Sequence, residues 1–572
     1  MALRDRWLAQ LRKRISAGPG IGTDARGRSR GRSEATAHLV FQPLIQLSLF
    51  AALATLHTWP LATDPAHLTR LDNDDTAFNT WVVAWVAHQV VSDPLNLFQA
   101  PIFHPAPDAL AFSEHIFVPT MMGAPLLWAG MSPVLVYNVL VWLGLALSGF
   151  AMCVVIHRWT GSSVAGIVAG CLYAFNAHLL TRYPHLQALH MQFFPFVLYA
   201  FDRVLSGGRA RHAVLLCVTF LLQSLCSNYT MVLMSCALLV ALAVRPELWR
   251  AGSRRIWITL VLVGATAALL LLPFVIPYYR AQTQQGMVRP IEDVRHYSAG
   301  WTDYLATAGR VHFDLWAHRF LRSPTALFPG VTAIGLGLLA ILTGLAGRDR
   351  RARMVLAFGL VGFALSFGAN LPGYELLHAH VPLLQGVRAV GRWGFLLLIA
   401  LAVLSGFAVA WLETRWKTRP WWPAVALALI GLVTLEALRA PLSFVRYEGI
   451  PAAHSRLATD SVSGIVVFPL YGGSQFNQNA HYMLDQTRHW KPMINAYSSW
   501  APESFYRRAT LLQSFPSEAA LADLRSIGVN HAVLHRQPLD KNFGAAAVDA
   551  LRNHPALEFL FEEDGIIVYR IK

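Results

Sequence analysis

The sequence predicts a polytopic α-helical membrane protein of about eleven spans, closed by a C-terminal extracytoplasmic α/β domain. Three observations carry this. Hydrophobic residues make up 55% of the 572-residue chain and charged residues only 14%, where soluble domains carry about a quarter charged. The apolar residues fall into runs long enough to cross a bilayer. The basic residues cluster in alternate connections between those runs, as expected when arginine is retained on the inner face.

Met1 to Ala37 is basic, holding nine Arg and Lys residues between Arg4 and Arg32 without an apolar core. It reads as a cytoplasmic tail rather than a cleavable signal. A membrane part, 38–440, comes next, with spans at 38–58, 133–156, 161–181, 185–204, 212–228, 229–244, 256–277, 326–346, 354–370, 393–412 and 422–440. With the N-terminus inside, these put Arg203/Arg209/Arg211, Arg245/Arg250/Arg254/Arg255, Arg348/Arg350/Arg351/Arg353 and Arg415/Lys417/Arg419 on the cytoplasmic face. The outer loops 59–132 and 278–325 and the tail 441–572 then lie outside. The 212–244 run is divided at Cys226–Tyr229, because one continuous helix would invert everything downstream. Topology thus accounts for the net charge of +15, and nucleic acid is not an expected partner. The five cysteines lie in apolar runs with neither disulfide nor zinc spacing.

The first outer loop holds Asp72-Asn73-Asp74-Asp75-Thr76 at the head of a helix expected over 76–91. A helix beginning near Asp72 places Asp72, Asp75, Thr76 and Asn79 on one face. One or two such residues suffice to cap a helix, and four consecutive ones suggest more than capping. The rest of this loop is punctuated by proline and aromatic residues, with His104, Glu114 and His115 as candidate substrate contacts. The piece 116–131 is expected as an interfacial helix.

A second polar concentration lies at the outer ends of spans three and four: Asn176, His178, Arg182, Tyr183, His185, Gln187, His190 and Gln192. Polar groups at this depth face a cavity or one another. Arg388 and Arg392 stand at the outer mouth of span ten, against the charge rule. Guanidinium forks match phosphate oxygens, so this pair, with Arg182, is the candidate clamp for an anionic group. Loop 278–325 interleaves Glu292, Asp293, Asp303 and Asp314 with aromatics, a composition suited to a sugar-binding lid and equally to an interfacial belt. The tail reads as strands at 464–470, 529–534 and 565–571 alternating with helices at about 502–514, 517–527 and 544–552. Its stretch Tyr482–Pro492, running into Asn495–Trp500, shows no nucleophile-and-base arrangement and suggests support or acceptor recognition.

A long outer loop after the first span, bearing paired acids, resembles the GT-C superfamily of polytopic glycosyltransferases. The blocks Leu110-Ala111-Phe112-Ser113-Glu114-His115 and His489-Trp490-Lys491-Pro492 are similar to those of an uncharacterised bacterial glycosyltransferase-like group. The resemblance implies a GT-C-like fold in a bacterial inner membrane. It also implies transfer of a sugar from a polyprenyl-phosphate carrier to a glycan, lipid or protein acceptor on the outer face. A catalytic or metal-binding aspartate is implied within Asp72–Asp75. Asp72, nearest the first span, is expected first, with Asp75 and Asp74 as the other acids. Asp72 and Asp74 are the candidate ligands if a divalent cation such as Mg or Mn takes part. Many relatives carry Asp-Glu or Asp-X-Asp, and Asp-Asn-Asp-Asp leaves open which acid is the base. His185 and Asn79 join Glu114, His115 and His104 as candidate substrate contacts. The chain carries no Walker or Rossmann glycine loop, consistent with a lipid-linked donor. A transporter or flippase is the competing class, against which no internal repeat or matched pair of broken helices is seen. A non-catalytic envelope-assembly subunit is the third.

Overall fold

The computed structural model describes residues 42–249, 253–321, 325–459 and 461–572. The basic tail, 1–37, lies outside the described residues. The chain divides into two compact units, Met1–Leu49 and Phe50–Lys572. Residues 42–49 of the first are helical. The second unit holds the helix bundle and the C-terminal sheet.

The principal helices of this second unit are α1 (Asp74–Ser92), α2 (Phe117–Trp128), α3 (Pro133–Thr160), α4 (Ser163–Ala174), α5 (Phe194–Leu205), α6 (Ala210–Ser224), α7 (Asn228–Ala243), α8 (Arg254–Gln285), α9 (Val331–Leu342), α10 (Arg350–Ser366), α11 (Phe395–Trp416) and α12 (Trp422–Ala437). Four helical stretches among the described residues are long and apolar enough to cross a bilayer: Pro133–Thr160, Ser163–Thr181, Arg254–Gln285 and Val390–Trp416. The helices α2, α6, α7, α9 and α12 are apolar but shorter. On α8 the side chains of Leu262, Leu269, Leu270, Leu272, Val275 and Ile276 point outward. Such a surface is untenable in water and at rest in lipid; this is a membrane protein. Where helices pack on one another, small residues permit close approach: a Cβ on Gly170 of α4 would stand 2.5 Å from the Gly149 carbonyl oxygen of α3.

The expected spans differ from the helices mainly where polar residues interrupt them. The 161–181 run breaks after Phe175, where Asn176 caps a short helix, Ala177–Thr181, by accepting from the Leu179 N–H. The 185–204 run holds a single turn, Leu186–Leu189, before α5. Gln223 of α6 satisfies the N–H groups of Phe193 and Phe194 that this break frees. Ser227 caps α7, so 212–244 is two helices, as expected. At one end of the bundle Asp202, in α5, pairs with Arg245 at 2.9 Å and approaches Arg350 at 3.7 Å. Arg351 donates to the Trp159 carbonyl there. The basic connections around 203–211, 245 and 348–353 therefore gather at one end.

The C-terminal region carries a four-stranded sheet. Its strands come after a two-residue pair, β1 (Leu68–Thr69) with β2 (Val445–Arg446), and are β3 (Ile465–Phe468), β4 (His531–His535), β5 (Leu557–Glu563) and β6 (Ile566–Ile571). The sheet order is β3-β4-β6-β5, with β3 and β4 parallel and the other pairs antiparallel. Strand β3 ends at Phe468 because Pro469 has no N–H to extend the ladder. The sequence pattern does not predict strand β5: a register shift between Phe559 and Phe561 disrupts its alternation. The helix α13 (Asn479–Gln486) lies against α1. There Gln486 accepts from Trp81 Nε1 at 3.0 Å and donates to the Pro101 and Lys491 carbonyls. The backbone of Met493 exchanges hydrogen bonds with Pro101 and His104, and β1 pairs Leu68 with Arg446 in β2. The loop 59–132 is thus fixed from both sides by the last part of the chain.

Candidate active site

The acidic stretch is held at the start of α1. Asn73 is the cap: its side chain accepts from the Asp75 N–H at 3.0 Å. The helix begins at Asp74, so Asp72 lies outside it and does not share the face of Asp75, Thr76 and Asn79, as a start near Asp72 would require. The three acids point to different partners. Asp72, the most exposed, is gripped by Arg70 through two hydrogen bonds of 2.9 and 3.1 Å. Asp74 accepts from Asn477 Nδ2 and faces His481 Nε2 at 3.1 Å. The His481 hydrogen bond, outweighing the opposing effect of burial, holds the Asp74 carboxyl below the usual carboxylate range. Asp75 accepts from the Tyr497 hydroxyl at 2.8 Å and lies 3.5 Å from His185 Nε2.

Beyond Asp75 lies a concentration of positive charge. Arg182 is 5% exposed and within electrostatic reach of Asp75 and Arg392. Arg392 lies over the Tyr229 ring at 4.3 Å and Arg388 over the Tyr297 ring at 4.7 Å. The Tyr229 hydroxyl accepts from the backbone N–H groups of Arg388 and Ala389, fixing the loop that carries both arginines. A fourth cation, Arg289, is buried and donates to the Ser499 carbonyl and hydroxyl at 2.6 and 2.8 Å. Arg388 shares that carbonyl at 3.4 Å. Burial, then the neighbouring charge of Arg388, depresses the Arg289 guanidinium. Among the described residues no carboxylate stands within 4 Å of these four guanidinium groups, and the Nε atoms of Arg182 and Arg392 have no hydrogen-bond partner. Four neighbouring cations, two of them with an unpartnered Nε, form a ready seat for an anion with several oxygens.

The other expected contacts act as supports. Asn79 donates to the carbonyls of Asp75 and Pro184, at 2.8 and 2.9 Å, tying α1 to the segment that carries His185. Glu114 accepts from the Ser227 hydroxyl and the Tyr229 N–H, so it orients the tyrosine beneath Arg392. His115 is buried among Phe98, Phe274 and Tyr278 and accepts from the Phe117 N–H. Burial pushes it down to about 4. His104 bonds the Ile527 carbonyl at 2.8 Å, anchoring the loop to the C-terminal region. Of the remaining polar concentration, His190 and Gln192 belong to an interhelical network with Leu140 and Gln223.

Sequence reasoning missed Arg289, Asn477, His481 and the roles of Tyr229, Tyr297, Tyr497 and Ser499. For Asn477, His481, Tyr497 and Ser499 the available signal was the density of polar and aromatic residues over 471–500, which marks a functional surface without naming its target. Among the described residues, the group of three potential metal-ligand side chains does not include Asp72 or Asp74: His454, Asp485 and His535 bring one ligand atom each within 4.8 Å of one another.

No family model matches the chain, and no curated protein matches it in sequence. Solved structures do resemble it. The archaeal oligosaccharyltransferase AglB from Archaeoglobus fulgidus, solved with an inhibitory peptide and a dolichol-phosphate, aligns at a TM-score of 0.51 and 14% identity. That alignment covers 94% of this chain and 75% of AglB. ArnT from Cupriavidus metallidurans, bound to undecaprenyl phosphate, aligns at 0.45 and 14% identity over 91% of this chain and 97% of its own. Over 94% of its length, the chain is similar in fold to that archaeal oligosaccharyltransferase.

Proposed function

We propose that the protein is a glycosyltransferase that moves a sugar from a polyprenyl-phosphate donor to an envelope acceptor on the outer face of a bacterial inner membrane. The observation that carries this reading is the juxtaposition of Asp75 with the Arg182, Arg289, Arg388 and Arg392 cluster, in a fold shared with an oligosaccharyltransferase whose structure contains a dolichol-phosphate. Asp75 is the general base. Its carboxylate takes the proton of the acceptor hydroxyl as that oxygen attacks the anomeric carbon. The carbon–oxygen bond to the carrier breaks, and the bonding pair leaves with the phosphate, whose charge the arginines neutralise. A single displacement inverts the anomeric centre. Tyr497 and His185 orient Asp75, while Asp72, paired with Arg70, and Asp74, hydrogen-bonded by Asn477 and facing His481, brace the loop.

The same reading puts the N-terminus and the gathered basic connections inside. The acidic stretch, loop 278–325 and the region 441–572 are outside, across about eleven crossings. The decisive experiment supplies purified protein with a polyprenyl-phosphate sugar and envelope extract, and measures release of polyprenyl phosphate. No release by wild-type protein with any such extract would overturn the proposal.

A further inference from the structure

We propose that His454, Asp485 and His535 bind a divalent transition metal of the zinc class, which ties three elements of the C-terminal region together. His454 lies on the helix Ala453–Thr459, Asp485 in the last turn of α13, and His535 at the end of β4. Their ligand atoms are mutually within 4.8 Å, and His454 Nε2 is 3.7 Å from Asp485 Oδ2. A tetrahedral ion about 2.0–2.2 Å from each ligand spaces its ligand atoms roughly 3.4 Å apart, so closure needs shifts of about an ångström. Two imidazoles and one carboxylate suit zinc, whereas magnesium and calcium favour all-oxygen sets. Three protein ligands leave a fourth tetrahedral position for water.

Unsatisfied polar atoms independently point to an ion. The His454 side chain is 3% exposed, yet neither of its ring nitrogens has a hydrogen-bond partner, and His535 Nε2 has none either. The 3.7 Å separation from Asp485 is too long for a hydrogen bond. The rings are nevertheless held in place. His454 stacks on His489 at 5.6 Å, and His535 packs on Tyr482 at 4.8 Å. His489 belongs to the wall rather than the ligand set. Its Nδ1 accepts from the Lys491 N–H at 3.1 Å, which leaves its proton on Nε2. The ion would grip α13 one turn beyond His481, which faces Asp74. This inference does not rest on the transferase reading.

The test uses the full chain in detergent, carrying a tag without histidine. Elemental analysis after chelator-free dialysis against zinc should find about one zinc per chain. His454→Ala, Asp485→Asn and His535→Ala should each lose it. Wild-type protein stripped with EDTA should take up cobalt with tetrahedral visible absorption and no thiolate charge-transfer band, and its Tm should rise when zinc is restored. The stripped-and-reloaded wild type decides the matter even where a variant misfolds. A metal-free wild type with an unchanged Tm would overturn the proposal. So would full zinc retention by all three variants, or a thiolate band assigning the metal to cysteine.

Discussion

Replacing Asp75 by asparagine removes one negative charge while preserving shape. The backbone at this position is held by groups the substitution leaves alone: Asn73 Oδ1 accepts its N–H at 3.0 Å, and Asn79 donates to its carbonyl at 2.8 Å. Tyr497 can donate to the new amide oxygen, so a charge-assisted hydrogen bond becomes a neutral one at a loss of about 1 kcal/mol. Removing a carboxylate from the first turn of α1 adds about 0.3–1 kcal/mol. The stability loss is therefore about 1–2 kcal/mol. Loss of a general base lowers turnover by about 10²–10⁴-fold, or about 2.7–5.4 kcal/mol of barrier. Activity should thus collapse in a protein that remains folded. Polyprenyl phosphate release measures the first, and thermal melting with gel filtration in detergent measures the second. An Asp75→Asn variant with transfer within a few-fold of wild type refutes Asp75 as the base. Asp72→Asn and Asp74→Asn are then the variants to measure, and full activity in the triple variant removes the acidic stretch from the chemistry altogether.

Other outcomes are set by the same geometry. Arg182→Ala, Arg388→Ala and Arg392→Ala should each weaken binding of polyprenyl phosphate by about tenfold or more, from about 1.5–3 kcal/mol per charge-assisted contact; unchanged titrations in all three would move the phosphate site. The Asp74 carboxyl is lowered in the folded protein by His481. Its contribution is accordingly present above its unfolded value near about 3.9 and is lost as pH falls through the lowered one. Tm should therefore fall less steeply below about pH 4 in Asp74→Asn than in wild type, and parallel curves would contradict this. Gln486→Leu leaves Trp81 Nε1 without its acceptor and should destabilise the protein by about 1–3 kcal/mol, read as a lowered Tm. Reporter fusions at 207, 349 and 416 should report the cytoplasm and one at 500 the outer face; a cytoplasmic signal at 500 would reverse the topology.

What the sequence revealed depended on whether a signal was local. Apolar runs fix helices because lipid leaves the backbone no other partner, and α3, α8 and α11 fall where the runs do. Arg388 and Arg392 stood out because they break the charge rule, while Arg289, among scattered arginines of the same loop, breaks no pattern. Whether Asp72 or Asp75 meets the arginines turned on where α1 begins. The Asn73 cap excludes Asp72 from the helix, and proximity to the first span could not reveal that. His481 and Tyr497 meet the acids across 407 and 422 residues of chain, a pairing that no spacing rule encodes. Strand β5 escaped notice because its register shift scrambles the two-residue period.

Those separations also govern the order in which the molecule becomes competent. The segment bearing Asp74 and Asp75 is made early, whereas Asn477, His481 and Tyr497 emerge 403, 407 and 422 residues later. At synthesis rates of about 5–20 residues per second, the acids wait roughly 20–80 s for their partners. Throughout that interval every apolar helix can already be inserted, while the latch of β1 on β2 and the grip of α13 on α1 do not exist. The acid constellation of the nascent protein is therefore incomplete until its final stretch has been made, an interlock written into chain order rather than supplied by a regulator. A chain cut short before Tyr497 holds its helices but never assembles the acid constellation.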